Sequence, residues 1–241
     1  ADKLLSLITP TADYADFDGC DLIIEAVFED SGVKKAATEQ AEAVIKRTAV
    51  FASNTSTIPI TDLAKNSVRP KNFIGIHFFS PVDKMMLVEI IMGKRTSGKA
   101  LAVAMDYVRA IKKTPIVVND TRGFYVNRCV LRYMSEAYNM LIEGVPPAMI
   151  ENAAKMAGMP VGPLSLNDET AIDLSQKILK QTVRDLGDKA VDPRHIELVD
   201  TMIETHGRLG RKNGKGFYDY PEKPAKKHLW PELKDMYPQQ D

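Results

Sequence analysis

Short apolar runs alternate with helix-forming stretches through the first half of the chain. Leu22-Ile23-Ile24-Glu25-Ala26-Val27-Phe28 is mostly apolar and bounded by Gly19 and by Glu29-Asp30. Those limits and its β-branched content predict a buried strand. Residues 33–46 are rich in helix formers and lack glycine and proline, which predicts a helix. Residues 48–53 read as a second strand. The polar turn Asn54-Thr55-Ser56-Thr57 and a helical turn over 59–65 follow. Residues 73–78 and 87–92 read as the third and fourth strands. Ser97 can cap a helix from about Ala100 to Ile111. A further strand is predicted over 114–118, weakened by Pro115.

The pattern then changes. Residues 124–142 read as one long helix without glycine or proline, and another starts near Pro146-Pro147. Helices are predicted at about 164–186 and 194–205, and no strand-like run of comparable quality follows Val118. The shift near Asn119 divides the chain into domains 1–119 and 120–241. The alternating half predicts a doubly wound α/β sheet, with an all-α domain appended. Such sheets place ligand sites beyond the carboxyl ends of their strands. Phe28-Glu29, Asn54 to Ser56 and His77 all lie at or just past such ends.

Charge and composition narrow the function. The 241 residues carry 32 Lys+Arg and 32 Asp+Glu, a net charge of zero. That balance removes the simplest electrostatic case for nucleic acid or an anionic membrane as partner. No apolar run approaches the roughly 20 residues of a membrane helix. The two cysteines, Cys20 and Cys129, form neither a metal-binding spacing nor a disulfide framework, so no metal is expected. A reducing, cytoplasmic compartment is the expectation.

His77, in Gly-Ile-His-Phe-Phe-Ser-Pro-Val, is either a satisfied strand histidine or a general acid or base at a strand end. Glu89, in Leu-Val-Glu-Ile-Ile, either faces water from an edge strand or faces His77 and orients its ring. Ser56 fits simple turn or cap chemistry. Asn127 fits the polar first turn of a helix. Glu29 and Lys34 fit a solvated helix start. The basic glycine loop Gly210-Arg211-Lys212-Asn213-Gly214-Lys215-Gly216 fits either a flexible surface turn or an anion contact. It is not a Walker A loop, because its spacing differs and no strand precedes it.

Each signal is weak alone, but their order is specific. Glu-Ala-Val-Phe-Glu-Asp, Ser-Asn-Thr-Ser, Gly-Ile-His-Phe-Phe-Ser-Pro-Val, Leu-Val-Glu-Ile-Ile, Asp-Thr-Arg-Gly-Phe-Tyr-Val-Asn-Arg and Gly-Lys-Gly-Phe-Tyr-Asp-Tyr occur in series from about Asp18 to Tyr220. The series resembles the 3-hydroxyacyl-CoA dehydrogenase family. Pro-Val-Gly-Pro-Leu at 160–164 and the tail Leu-Trp-Pro-Glu-Leu look closer to the multifunctional fatty-acid oxidation enzymes.

The resemblance implies NAD-linked oxidation of 3-hydroxyacyl-CoA to 3-oxoacyl-CoA in β-oxidation, with NAD as cofactor. His77 would be the catalytic histidine and Glu89 its carboxylate partner. Ser56 and Asn127 would contact the substrate oxygens. Val27, Phe28, Glu29, Lys34, Ser56, Ser80 and Lys212 would lie along the cofactor, Ser80 standing where many members carry Asn. The first domain would then be a partial Rossmann-type NAD-binding domain. The second would be a helical substrate-binding and dimerisation domain, through which a homodimer or a contact with another domain would form.

One departure is an absence. The family's Gly-x-Gly-x-x-Gly turn, which cradles the cofactor pyrophosphate, occurs nowhere in this chain. The expectation is a fragment of a longer enzyme with a truncated sheet and an exposed apolar edge. One alternative is a non-catalytic helical dimerisation module with a vestigial α/β half; against a dehydrogenase of small hydroxy acids speaks the pair His-Phe-Phe-Ser-Pro-Val and Ser-Asn-Thr-Ser.

Overall fold

The computed structural model describes residues 2–238, which form two compact units, 1–128 and 129–241. In the first unit a short helix α1 (Asp2–Leu5) precedes a sheet of β1 (Leu22–Glu25), β2 (Val50–Ser53), β3 (Phe73–Phe78), β4 (Leu87–Met92) and β5 (Thr114–Asn119). The strands lie in sequence order. β1, β2 and β3 run parallel, β4 runs antiparallel to β3, and β5 runs parallel to β4.

Strand alternation assigns the two faces. Phe51, Phe73 and Ile91 turn one way and pack with Ala41 and Ile45 around α2 (Ser31–Val44) and with Ile60 and Leu63 of α3 (Ile60–Leu63). Val50, Ala52, Ile74, Ile76, Val88 and Ile90 turn the other way, onto Ala100, Ala104 and Val108 of α4 (Gly98–Ala110). Helices cover both faces, as the sequence leads one to expect. Asp30 caps α2 by accepting from Gly32 and Val33, and Ser97 caps α4.

The observed elements differ from the sequence reading in instructive places. β1 stops at Glu25, and Ala26 to Phe28 leave the sheet exposed, because β2 ends opposite Glu25 and offers nothing further to pair with. β5 tolerates Pro115 because it is an edge strand. The two units part after Arg128. The Asn119–Asn127 segment belongs to the first unit, where Phe124 is buried in its core.

The second unit contains most of α5 (Val126–Ile142), then α6 (Pro147–Met156), α7 (Pro163–Thr170), α8 (Ile172–Leu186), α9 (Pro193–Asp200) and α10 (Leu233–Met236). The single helix expected over 164–186 is two, broken at Ala171 with φ of 75°. A short antiparallel pair, β6 (Tyr218–Asp219) and β7 (His228–Leu229), is present where no strand was expected. At two residues each, these strands are too short to leave a hydropathy signal. Leu141, Ile150, Leu164, Leu198, Met202 and Phe217 build this unit's core.

Candidate active site

The site grows out of the β3–β4 pair. His77 lies directly opposite Glu89 in the register. Both continue the face that carries Phe73, Gly75 and Ile91, so the same alternation that builds the core presents them together. His77 Nδ1 lies 2.7 Å from Glu89 Oε2. Glu89 is 0% exposed and does not face water, since β5 pairs with β4 on its other side. The remaining oxygen of Glu89 accepts the backbone N–H groups of Tyr125 and Val126 at 3.0 and 2.9 Å. Burial pushes the Glu89 carboxyl up. The His77 hydrogen bond, the two N–H donors and the charge of the imidazole outweigh that and hold it below its ordinary value. A charged Glu89 fixes the tautomer: Nδ1–H donates to it, and Nε2 keeps its lone pair free to take a proton. Phe79 and Phe124 flank the imidazole, with ring centroids 4.5 and 5.8 Å away.

The Asn54–Thr57 turn forms the second part, just past the end of β2. Asn54 Oδ1 accepts from Phe78 N at 2.8 Å, tying the turn to the strand end beside His77. Glu29 Oε1 accepts from Thr55 Oγ1 and from the N–H groups of Ser56 and Thr57, at 2.6, 2.9 and 2.9 Å. Asn127 Nδ2 donates to the Ser56 carbonyl at 3.2 Å. Among the described residues the half-buried Ser56 hydroxyl has no hydrogen-bond partner. The structure thus brings His77, Glu89, Ser56 and Asn127 onto one rim of the first unit.

The third part lies past β1. Val27 and Phe28 are exposed, Phe28 to 85%. Lys34 is not on a solvated helix start: it is 2% exposed, its ammonium bound to both oxygens of Glu25 and 3.4 Å from Glu29. It also donates to the Val27 carbonyl at 3.4 Å. Burial pushes the Glu29 carboxyl up, but its donors from Thr55, Thr57 and Ser56 and the Lys34 charge hold it below its usual value. Ser80 is exposed, beyond the end of β3.

The glycine loop belongs to the second unit and is anchored there. Asp168 accepts the N–H groups of Phe217 and Tyr218 at 2.8 and 2.9 Å. A Cβ on Gly216 would run into that carboxylate, and one on Gly210 would lie 2.6 Å from the Asp168 carbonyl oxygen. Arg211 pairs with Glu169, and Lys212 pairs with Asp173. The loop is anchored rather than free: Gly216 leaves room for the buried Asp168 carboxylate, and Gly210 leaves room for the Asp168 backbone.

Sequence reasoning placed Asn54 and Thr55 at a strand end without giving either a role, and it missed Phe124 beside the His77 ring and Asp120 beneath α3. Asn54 carried that signal, one position past the carboxyl end of β2, whereas Asp120 follows β5, which runs opposite to β1, β2 and β3 and ends at the other edge of the sheet. Among the described residues no group of three or more metal-ligating side chains occurs, and no helix is long and apolar enough to cross a membrane.

Comparison with known proteins fits this geometry. Residues 1–121 match the model of the 3-hydroxyacyl-CoA dehydrogenase NAD binding domain, and residues 123–220 match that of the family's C-terminal domain. The chain is 42% identical, over 94% of its length, to the fatty acid oxidation complex subunit alpha of Shewanella loihica. It spans 31% of that relative, about a third of its length. It superposes on a (S)-3-hydroxybutyryl-CoA dehydrogenase from Ralstonia eutropha with a TM-score of 0.81 and 34% identity, covering 92% of this chain and 78% of that one. The dehydrogenase part of a multifunctional enzyme from C. elegans aligns with a TM-score of 0.68 and 30% identity, over 98% of this chain and 53% of that one. The chain belongs to the 3-hydroxyacyl-CoA dehydrogenase family.

Proposed function

We propose that this chain carries the NAD-linked oxidation of 3-hydroxyacyl-CoA thioesters to 3-oxoacyl-CoA in fatty-acid oxidation. The observation that carries the proposal is the 2.7 Å contact between His77 Nδ1 and the buried Glu89 carboxylate. Oxidising a secondary alcohol removes a proton from oxygen and a hydride from carbon. His77 Nε2 takes the hydroxyl proton, and general-base help of this kind is worth roughly 10²- to 10⁴-fold. Glu89 holds the ring and stabilises the imidazolium that forms. The Ser56 hydroxyl and the Asn127 carboxamide hold the substrate oxygens so that the reacting carbon is aligned. The C3–O bond closes to a ketone as its hydrogen leaves with an electron pair.

The residues present fit the nicotinamide end of NAD. Phe28 and Val27 offer apolar surface beside the polar Ser56 rim, with Ser80 at the end of β3. Lys34 serves that rim by holding the Val27 carbonyl and Glu29 rather than by reaching out itself. NAD, when bound, supplies the hydride acceptor. The chain has no glycine turn for the pyrophosphate. Residues 1–119 are assigned to cofactor binding and 120–241 to substrate binding and dimerisation, with Lys212 as a further cofactor contact.

The helical unit is the one we assign to self-association or to contact with another domain. Free Cys20 and Cys129 fit a cytoplasmic setting. The test is NADH formation from NAD and 3-hydroxybutyryl-CoA, followed by absorbance. Turnover that vanishes on His77→Asn is expected. Absence of turnover with short- and long-chain 3-hydroxyacyl-CoA alike, in a protein that self-associates, would favour the dimerisation module instead.

A further inference from the structure

Asp120 takes no part in the chemistry above, yet its carboxylate is fully engaged just past the end of β5. Its two oxygens accept the backbone N–H groups of Ile60 and Thr61, each at 2.7 Å, and the Thr61 hydroxyl as well. Pro59, at the cap position of α3, offers no side-chain hydrogen bond. Asp120 therefore supplies from β5 the acceptors that a capping residue would ordinarily provide locally. Thr61 passes the restraint on by accepting from Lys94 N at 3.0 Å. The Ile60 side chain is fully buried, and a Cβ on Gly75 of β3 would lie 2.8 Å from it, so this end of the segment cannot shift toward the sheet.

The connections close into a ring. From Asp120 the chain runs through the left-handed residues Gly123 and Phe124 to the N–H groups of Tyr125 and Val126 that hold Glu89. The next residue, Asn127, donates to the Ser56 carbonyl. From Ser56 the chain returns to Ile60 and Thr61, and so to Asp120. One arc carries the N–H groups that hold Glu89 together with Asn127, and the other carries Ser56. Asp120 is the tie where the arcs meet.

We propose that Asp120 is a positioning residue for the dehydrogenation. Its bonds to Ile60 and Thr61 set the position of the segment that carries Ser56 relative to the 125–127 segment that holds Glu89 and carries Asn127. This rests on the functional reading above for its kinetic consequence, though not for its structural one. Small displacements of a bound substrate relative to a catalytic group cost rate steeply.

The test uses Asp120→Ala, Asp120→Asn and Thr61→Val in the full chain. For Asp120→Ala, kcat is expected to fall at least about 10-fold while KM for both substrates moves less than about 3-fold. Asp120→Asn, which keeps one acceptor, should recover part of that loss. Amide hydrogen exchange should accelerate in residues 54–61 and 121–127 and stay unchanged in β3 and β4. A purely structural role would lower the folded fraction and leave kcat per folded molecule and this local pattern unmoved. A folded Asp120→Ala protein with kcat within about 2-fold of wild type, or with unchanged exchange in both segments, overturns the proposal. If that variant does not fold, Thr61→Val removes the hydroxyl bond alone. It should give the same exchange signature and a smaller loss of kcat, and no change in either overturns the proposal. If the wild-type chain shows no turnover at all, the functional reading fails, and the exchange pattern alone decides whether Asp120 ties the two arcs.

Discussion

Glu89 and Asp168 are two buried carboxylates built to nearly the same plan and tuned in opposite directions. Each accepts a pair of successive backbone N–H groups, from Tyr125 and Val126 for Glu89 and from Phe217 and Tyr218 for Asp168. They are 0% and 1% exposed. They differ in the third partner. Glu89 meets an imidazole, which can carry charge, and stays below its ordinary value. Asp168 meets the Tyr220 hydroxyl at 3.1 Å, and its burial outweighs all its donors and the charge of Arg208, so its carboxyl is pushed up to about 6. Two backbone donors do not by themselves decide the direction of the shift; here the lowered carboxyl is the one in contact with an imidazole and the raised one is in contact with a neutral hydroxyl. The same plan holds Glu89 against His77 in the α/β unit and anchors the glycine loop in the helical unit.

The comparison can be broken most sharply at His77. His77→Asn keeps an N–H for Glu89 and removes the proton acceptor. kcat should fall by about 10²-fold or more with little change in melting temperature, measured by steady-state assay and calorimetry. Glu89→Gln should come next. Its amide cannot both accept from Tyr125 and Val126 and stabilise an imidazolium, so kcat should fall about 10-fold or more. Stability should drop by about 1–3 kcal/mol in denaturant titration. Gly216→Ala attacks the other carboxylate. The new methyl displaces Asp168, and the helical unit should lose about 1–3 kcal/mol. The single tryptophan, Trp230, lies in that unit's core and reports its unfolding by fluorescence.

The smallest effects are pH shifts of opposite sign. The lowered Glu89 stabilises the fold above the ordinary carboxylate value near 4.5. That contribution is lost as pH falls through its depressed native value. The stability gap between wild type and Glu89→Gln should therefore narrow in acid. The raised Asp168 contributes most below its ordinary value of 3.8, and that contribution is lost as pH rises through about 6. The gap between wild type and Asp168→Asn should therefore widen in acid. Denaturant midpoints at pH 4 and pH 7 check both signs.

Much of the sheet was legible because its strands are short, apolar and bounded, and because the cap Ser97 stands in plain view, whereas the Asp30 cap of α2 went unread. The His77–Glu89 pairing was legible only as one of two options. Whether a carboxylate in an apolar strand faces water or a partner depends on register, and register depends on the turn between β3 and β4. Lys34 misled because a helix-start lysine is nearly always solvated, whereas this one is paid for by Glu25 and Glu29 from two other elements. The break at Ala171 was hidden because alanine is the strongest helix former, and its positive φ is imposed by its surroundings. Asp120 was hidden because its partners, Ile60 and Thr61, lie 60 and 59 positions away along the chain.

The central claim is that His77 and Glu89 act as one unit. The most direct measurement is kcat for 3-hydroxyacyl-CoA oxidation in His77→Asn, Glu89→Gln and the double variant. If Glu89 works only through the imidazole, the double variant should lie within about 3-fold of His77→Asn alone. A double-variant loss equal to the product of the two single losses would contradict the account.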